Sequence, residues 1–146
     1  MKLTIPELAL VVLIGPSSSG KSTFAQKHFK QTEILSSDYC RGLISDDEND
    51  LTVTKEAFEL LHYIAAKRLE NGKLTVVDAT NVQPEARKPL INLARQFHCI
   101  PVALVFDIGE KVCQSRSRER KDRDFGPHVI RQQNQQMQRS INHLNK

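Results

Sequence analysis

The segment Gly15-Pro16-Ser17-Ser18-Ser19-Gly20-Lys21-Ser22 has the spacing G-x-x-x-x-G-K-[ST]. Glycines there let backbone amides close around a phosphate, and a helix opening behind them adds positive potential. The lysine reaches β- and γ-phosphates, and the serine hydroxyl ligates Mg²⁺. Gly15, Ser17, Ser18, Ser19, Gly20, Lys21, Ser22 and Thr23 are therefore expected to hold a nucleotide's phosphates. Val76-Val77-Asp78 is an apolar run ending in a carboxylate. Asp78 is expected near the same metal as Ser22, through water. Its plainer reading is a turn aspartate closing a buried strand.

A second group is Ser36-Ser37-Asp38-Tyr39-Cys40-Arg41-Gly42. If a helical turn forms there, Asp38 and Arg41 project on one side. A carboxylate can accept the proton of an attacking hydroxyl, and an arginine can grip an anion with two parallel bonds. In isolation the same residues read as a turn cap and a surface charge. A third group lies in residues 116–123 (RSRERKDR), which hold five basic residues. Arg116, Arg120 and Arg123 fall at i, i+4 and i+7 and share a helical face, whereas Arg118 falls elsewhere. They read either as a lid over donor phosphates or as a surface helix salt-bridged to Glu119 and Asp122. The chain has no guanine-reading NKxD and is too short for a transport ATPase. A phosphate loop, a carboxylate and an arginine cluster fit phosphoryl transfer, in which a protein mainly positions reactants and neutralises charge.

These groups need a scaffold. The run Ala9 to Ile14 is apolar throughout and reads as a strand buried on both faces. A helix is expected from Lys21 to about Phe29, a short strand from Glu33 to Ser37, and a solvated loop over the acidic residues 45–50. Thr54 is expected to cap a helix reaching about Glu70, with Phe58, Leu61, Ala65 and Leu69 inward and Asn71-Gly72 as its stop. A third strand runs from Leu74 to Val77 and ends at Asp78. Pro84 suits the first turn of a helix to about Phe97, in which Pro89 predicts a kink or break. Ile100 to Phe106 reads as a fourth strand, Glu110 to about Lys121 as a helix, and Ile130, Met137, Ile141 and Leu144 as the apolar stripe of a last helix. Strands alternating with helices predict an α/β fold with a parallel sheet of about four strands. Ligands of such sheets bind beyond the carboxyl ends of the strands, so Asp38, Asp78 and the phosphate loop are expected on one rim.

At 146 residues the chain reads as one domain, 1–146, able to bury one core. The formal net charge of +4 permits an anionic partner without demanding one. Cys40, Cys99 and Cys113 are widely spaced and form no CxxC pair, so they read as free thiols of a reducing compartment rather than a zinc site. Leu8 to Ile14 is too short to span a membrane, and a cytoplasmic protein is expected. His28, His62, His98 and His143 read as surface or packing residues, and Cys40 as a thiol near the site open to alkylation.

The combination GPSSSGKSTF, SSDYCRG with SDDEND after it, LTVVDATN, ARKPL and the Arg116/Arg120/Arg123 spacing closely resembles the 5′-hydroxyl kinase domain of bacterial polynucleotide kinase–phosphatases, end-healing enzymes of RNA repair. The resemblance covers nearly the whole chain. It implies a P-loop NTPase-type sheet with an arginine-bearing helical lid near the C-terminus. It implies transfer of the γ-phosphate of ATP, or another NTP, to a 5′-OH end of RNA or DNA, with Mg²⁺ or Mn²⁺. Lys21 and Ser22 would serve the nucleotide and metal, Asp38 would be the general base, and Arg41 would bind the acceptor's 3′-phosphate. Arg116, Arg120 and Arg123 would bind donor phosphates, and Val129 would meet the terminal base. Phosphatase and ligase-like domains would follow in a longer native chain. The sequence departs from the family at Ser18, where a glycine is frequent, and at Gly126-Pro127-His128, usually more charged. The sequence shows no obvious single-strand stacking platform beyond Tyr39 and Phe125, so salt-sensitive binding with little sequence preference is expected. Two other readings of the motifs are a kinase for a small metabolite and a nucleotide-sensing or RNA-binding module without chemistry.

Overall fold

The structure, a computed structural model, describes residues 4–107, 112, 115 and 127–141. Four strands form one parallel sheet: β1 (Ala9–Ile14), β2 (Ile34–Ser36), β3 (Thr75–Asp78) and β4 (Ile100–Val105), in the order β2-β3-β1-β4. The helices are α1 (Lys21–His28), α2 (Ser37–Ser45), α3 (Thr54–Glu70), α4 (Pro84–Gln96) and α5 (Pro127–Ile141). This is the expected α/β fold.

β1 lies between β3 and β4 and is buried along its whole length. Its alternating side chains enter two cores. Leu10, Val12 and Ile14 meet Ala57, Leu61, Ala65 and Leu69 of α3, Leu90 and Ala94 of α4, and Met137 of α5. Ala9, Val11 and Leu13 meet Ala25 of α1, with Phe29 and Phe106 packed around them. A strand covered on both faces has no polar side to show, which accounts for the unbroken apolar run. The outer strand β4 is half-covered, and its residues alternate between exposed and partly buried beyond Pro101.

Strand register sets the working rim. Asp78 pairs with Leu13 on one side and with Ser36 on the other. The chain therefore leaves β1, β2 and β3 at one level, and the phosphate loop, Asp38 and Asp78 all emerge there.

Several local expectations shift. Thr54 does not cap α3 but is its first residue. Asp50 acts upstream instead, accepting from the Thr52 amide at 3.0 Å and starting a 3-10 turn, Leu51–Val53, that runs straight into the helix. Pro89 does not break α4, which is continuous from Pro84 to Gln96. The bond that proline forfeits would go to Glu85, an exposed residue of the first turn, where water can satisfy the carbonyl. The stop after α3 holds: Gly72 is left-handed at φ 69°, and the Gly72 and Lys73 amides return to Leu69 O and Arg68 O. Of the expected helix over Glu110–Lys121 only residues 112 and 115 are described, both helical; the rest of it lies outside the described residues, as do Cys113, Phe125, Gly126 and His143.

Candidate active site

The phosphate loop joins β1 to α1. Gly20, at φ 101°, makes the turn into the helix with no side-chain cap, so the first-turn amides of α1 are left without a capping side chain. Lys21 is 7% exposed and folds over the loop. Its ammonium donates to Gly15 O at 2.8 Å, Pro16 O at 2.7 Å and Ser19 Oγ at 3.4 Å. Ser18 is left-handed at φ 65°, and its hydroxyl is buried without a hydrogen bond. That conformation costs a non-glycine residue roughly 1–2 kcal/mol. Gly15 is tightly confined: a Cβ there would lie 2.7 Å from Ser19 Oγ and 2.9 Å from Phe106 Cβ. Gly15→Ala is expected to displace the loop against β4 and to abolish ATP-dependent thermal stabilisation. Wild-type stabilisation by ATP in the variant would refute this.

Ser22 follows in α1, and its hydroxyl donates to Asp78 Oδ2 at 2.6 Å. The pair brings hard oxygen donors from β3 and α1 together beside the loop. Mg²⁺ sites at nucleotides typically use one or two protein oxygens, with phosphates and waters completing the shell. Ser22 and Asp78 fit that donor set. No cluster of three or more His, Cys, Asp or Glu suited to a metal occurs among the described residues, so no all-protein cage competes with it.

Asp38 and Arg41 sit in the first turn and middle of α2. Ser36 caps this helix, its hydroxyl accepting from the Tyr39 amide at 3.2 Å. The helical turn brings the two side chains into a salt bridge, Arg41 Nη2 to Asp38 Oδ1. Arg41 Nε also donates to Glu48 O at 2.9 Å, which ties the acidic 45–50 turn to the site. Burial pushes the Arg41 guanidinium below its ordinary value, with Glu48 and then Cys40 opposing. Cys40 is not an open thiol: it is 2% exposed in the core and its pKa is raised by burial, against a smaller lowering by Arg41. Because a helix places residues 39 and 40 on different faces, Tyr39 is 59% exposed while Cys40 turns inward.

One cleft of about 970 Å³ is lined by Lys21, Ser22, Asp38, Arg41, Asp78 and Val129, together with Ser17, Ser18, Gly20 and Thr23 of the loop. Gly15 and Ser19 shape the loop from behind without lining it. Val129 arrives from α5, which is anchored by buried Ile130 and Met137 and by Gln138 Nε2 donating to Asp107 Oδ1 at 2.7 Å. Arg116, Arg120 and Arg123 lie outside the described residues.

Sequence reasoning gave no role to three further groups. Asn81, left-handed at φ 50°, donates from Nδ2 to Leu13 O at 2.8 Å and Ala79 O at 3.3 Å. Buried Arg87 donates to Asn81 O at 2.9 Å, so α4 holds the turn that follows Asp78. Gln133 lines the cleft and contacts the loop. The motifs LTVVDATN and ARKPL contain the first two, but only the fold joins them. Gln133 lies in RQQNQQMQR, where nothing but its one-turn offset from Val129 distinguishes it.

No curated protein matches the sequence. Among solved structures, a chain of the Pnkp1/Rnl/Hen1 RNA repair complex superposes with a TM-score of 0.81 at 19% identity, over 97% of this chain and 47% of that one. This chain thus spans about half of that relative's length. A chain of the AvrRxo1-ORF1:-ORF2 complex gives 0.74 at 14% identity, over 95% and 50%. The Mycobacterium tuberculosis APS kinase CysC, solved with AMPPNP and APS, gives 0.60 at 20% identity, over 97% and 100%. Likeness at these identities establishes the fold of P-loop kinases. No helix among the described residues is long and apolar enough to cross a membrane. A family model described as AAA domain matches residues 10–144, nearly the full length, and the chain belongs to that family.

Proposed function

We propose that this protein transfers the γ-phosphate of ATP, or another NTP, to the 5′-OH end of a polynucleotide in nucleic-acid repair. The observation that carries the reading is the Asp38–Arg41 pair, which shares a cleft with the phosphate loop. The fold likeness to a chain of an RNA repair complex supports it.

Lys21 would neutralise the donor's β- and γ-phosphates, and the loop amides would fix them. Mg²⁺, held at Ser22 and through water at Asp78, would supply charge neutralisation. The Asp38 carboxylate would orient the 5′-OH and take its proton as the new O–P bond forms and the bond to the departing nucleoside diphosphate breaks. Arg41 Nη1 makes no hydrogen bond among the described residues and could offer N–H donors to the phosphate on the 3′ side of the accepting nucleotide. Arg116, Arg120 and Arg123 would stabilise the transferring group, and Val129 would pack on the terminal base. Further phosphatase and ligase-like domains in a longer native chain belong to the same proposal, as does a cytoplasmic location.

A small-metabolite kinase is the competing reading, and the likeness to an APS kinase gives it an observation. Acceptor comparison separates the two. With a nucleoside 3′-phosphate and the bare nucleoside as acceptors, the phosphorylated one is expected to be preferred by about 10- to 100-fold, the magnitude of a charged hydrogen-bonded contact. Arg41→Lys keeps the charge but loses the planar fork, and should shrink that preference. Equal use of both acceptors by the wild type would sink the polynucleotide assignment.

A further inference from the structure

Gln133 of α5 places its side-chain oxygen 2.7 Å from the Ser17 amide, joining residues 116 apart in sequence. A backbone amide only donates, so the carboxamide must turn Oε1 toward it and Nε2 away. Nε2 carries two N–H donors and makes no hydrogen bond among the described residues. The side chain is half-buried and lines the cleft with Lys21, Asp38 and Arg41. α5 has other anchors, in Ile130, Met137 and Gln138, so the Ser17 contact is not what attaches this helix.

We propose that Gln133 is a phosphoryl-contacting residue: Ser17 holds its oxygen, and Nε2 donates to an oxygen of the group in transfer. The proposal rests on the phosphoryl-transfer part of the reading above and not on the identity of the acceptor. Donors fixed in advance where charge accumulates stabilise a transition state without reorganising. The transferring group spreads its charge over equatorial oxygens, and a carboxamide clamped to the loop that cradles the donor is fixed in this sense. No proton moves to or from Gln133. The bond from acceptor oxygen to phosphorus forms, and the bond to the departing diphosphate breaks, as before.

Gln133→Ala removes the whole group. Gln133→Glu keeps an oxygen for the Ser17 amide, so a mere tie between α5 and the loop survives, but it loses both donors and brings a negative charge to the phosphoryl group. The measurement is binding of ADP, and of ADP with aluminium fluoride as a mimic of the transferring group, each with Mg²⁺, to the wild-type chain and both variants. The expected result is unchanged ADP affinity and a loss of about tenfold or more in the tightening produced by aluminium fluoride, in both variants. Where an acceptor is turned over, kcat should fall by about 10²-fold with KM for ATP little changed. The proposal is overturned if Gln133→Glu binds the fluoride complex as the wild type does, if both variants lose ADP affinity in parallel, or if the wild type gains nothing from fluoride. Failure to phosphorylate any polynucleotide would instead sink the acceptor assignment, and the fluoride comparison would still decide Gln133.

Discussion

Asp38→Asn is expected to lower the rate of phosphate transfer by about 10²- to 10⁴-fold while leaving ATP binding and the folded structure intact. The choice of asparagine matters. Arg41 is almost fully buried, and its guanidinium is held by Asp38 and by Glu48 O. Asp38→Ala would strip one partner from a buried cation, and a loss of activity could then reflect a rearranged α2. Asparagine keeps an oxygen for Arg41 and almost the same volume, but cannot take the acceptor's proton. The expected outcome is therefore a kcat defect without a comparable rise in KM for ATP, measured by labelled transfer from ATP to a 5′-OH oligonucleotide. Near wild-type transfer by Asp38→Asn would remove Asp38 from the chemistry and return it to its plainer role as a helix-turn residue.

How much of this was visible in the sequence depends on the range of the interaction. The phosphate loop could be read because its function lies in eight consecutive residues. β1 could be read because burial on both faces forbids polar side chains along it. The Asp38–Arg41 pair required only one helical turn, and the sequence identified the spacing that the fold turns into a salt bridge. What escaped detection is non-local or backbone-borne. The Ser22–Asp78 bond spans 56 positions, and the sequence predicted its two ends but not their contact. Asn81 and Arg87 act through main-chain oxygens, which leave no residue-type signature at the receiving end. Cys40 was expected to be open to alkylation because it lies near the site, yet its orientation follows from helix phase, which turns it into the core. The Asp50 turn before α3 was missed because a cap four residues upstream competes with the more obvious Thr54.

Lys21→Met is expected to lower transfer by about 10³-fold or more, the scale on which a single cation at the transferring phosphate acts. Here the lysine has two duties. In the structure its ammonium holds the loop closed through Gly15 O, Pro16 O and Ser19 Oγ; in the proposed transfer it would turn from those carbonyls to the donor's phosphates. The carbonyls thus keep a desolvated ammonium in place before the ligand arrives, and little search remains when it does. Methionine approximates the length and apolar stem but cannot satisfy the carbonyls, so the variant should also lose about 1–3 kcal/mol of stability if they stay dry. The two losses are separable. Urea unfolding without nucleotide reports the first duty. The rise in melting temperature on adding ATP reports the second, since a ligand that binds only the folded chain stabilises it by mass action. A Lys21→Met protein that unfolds like the wild type yet gains nothing from ATP would assign the lysine to the ligand alone. One that is destabilised but still stabilised by ATP, and still transfers phosphate, would show that the loop's amides suffice without the cation.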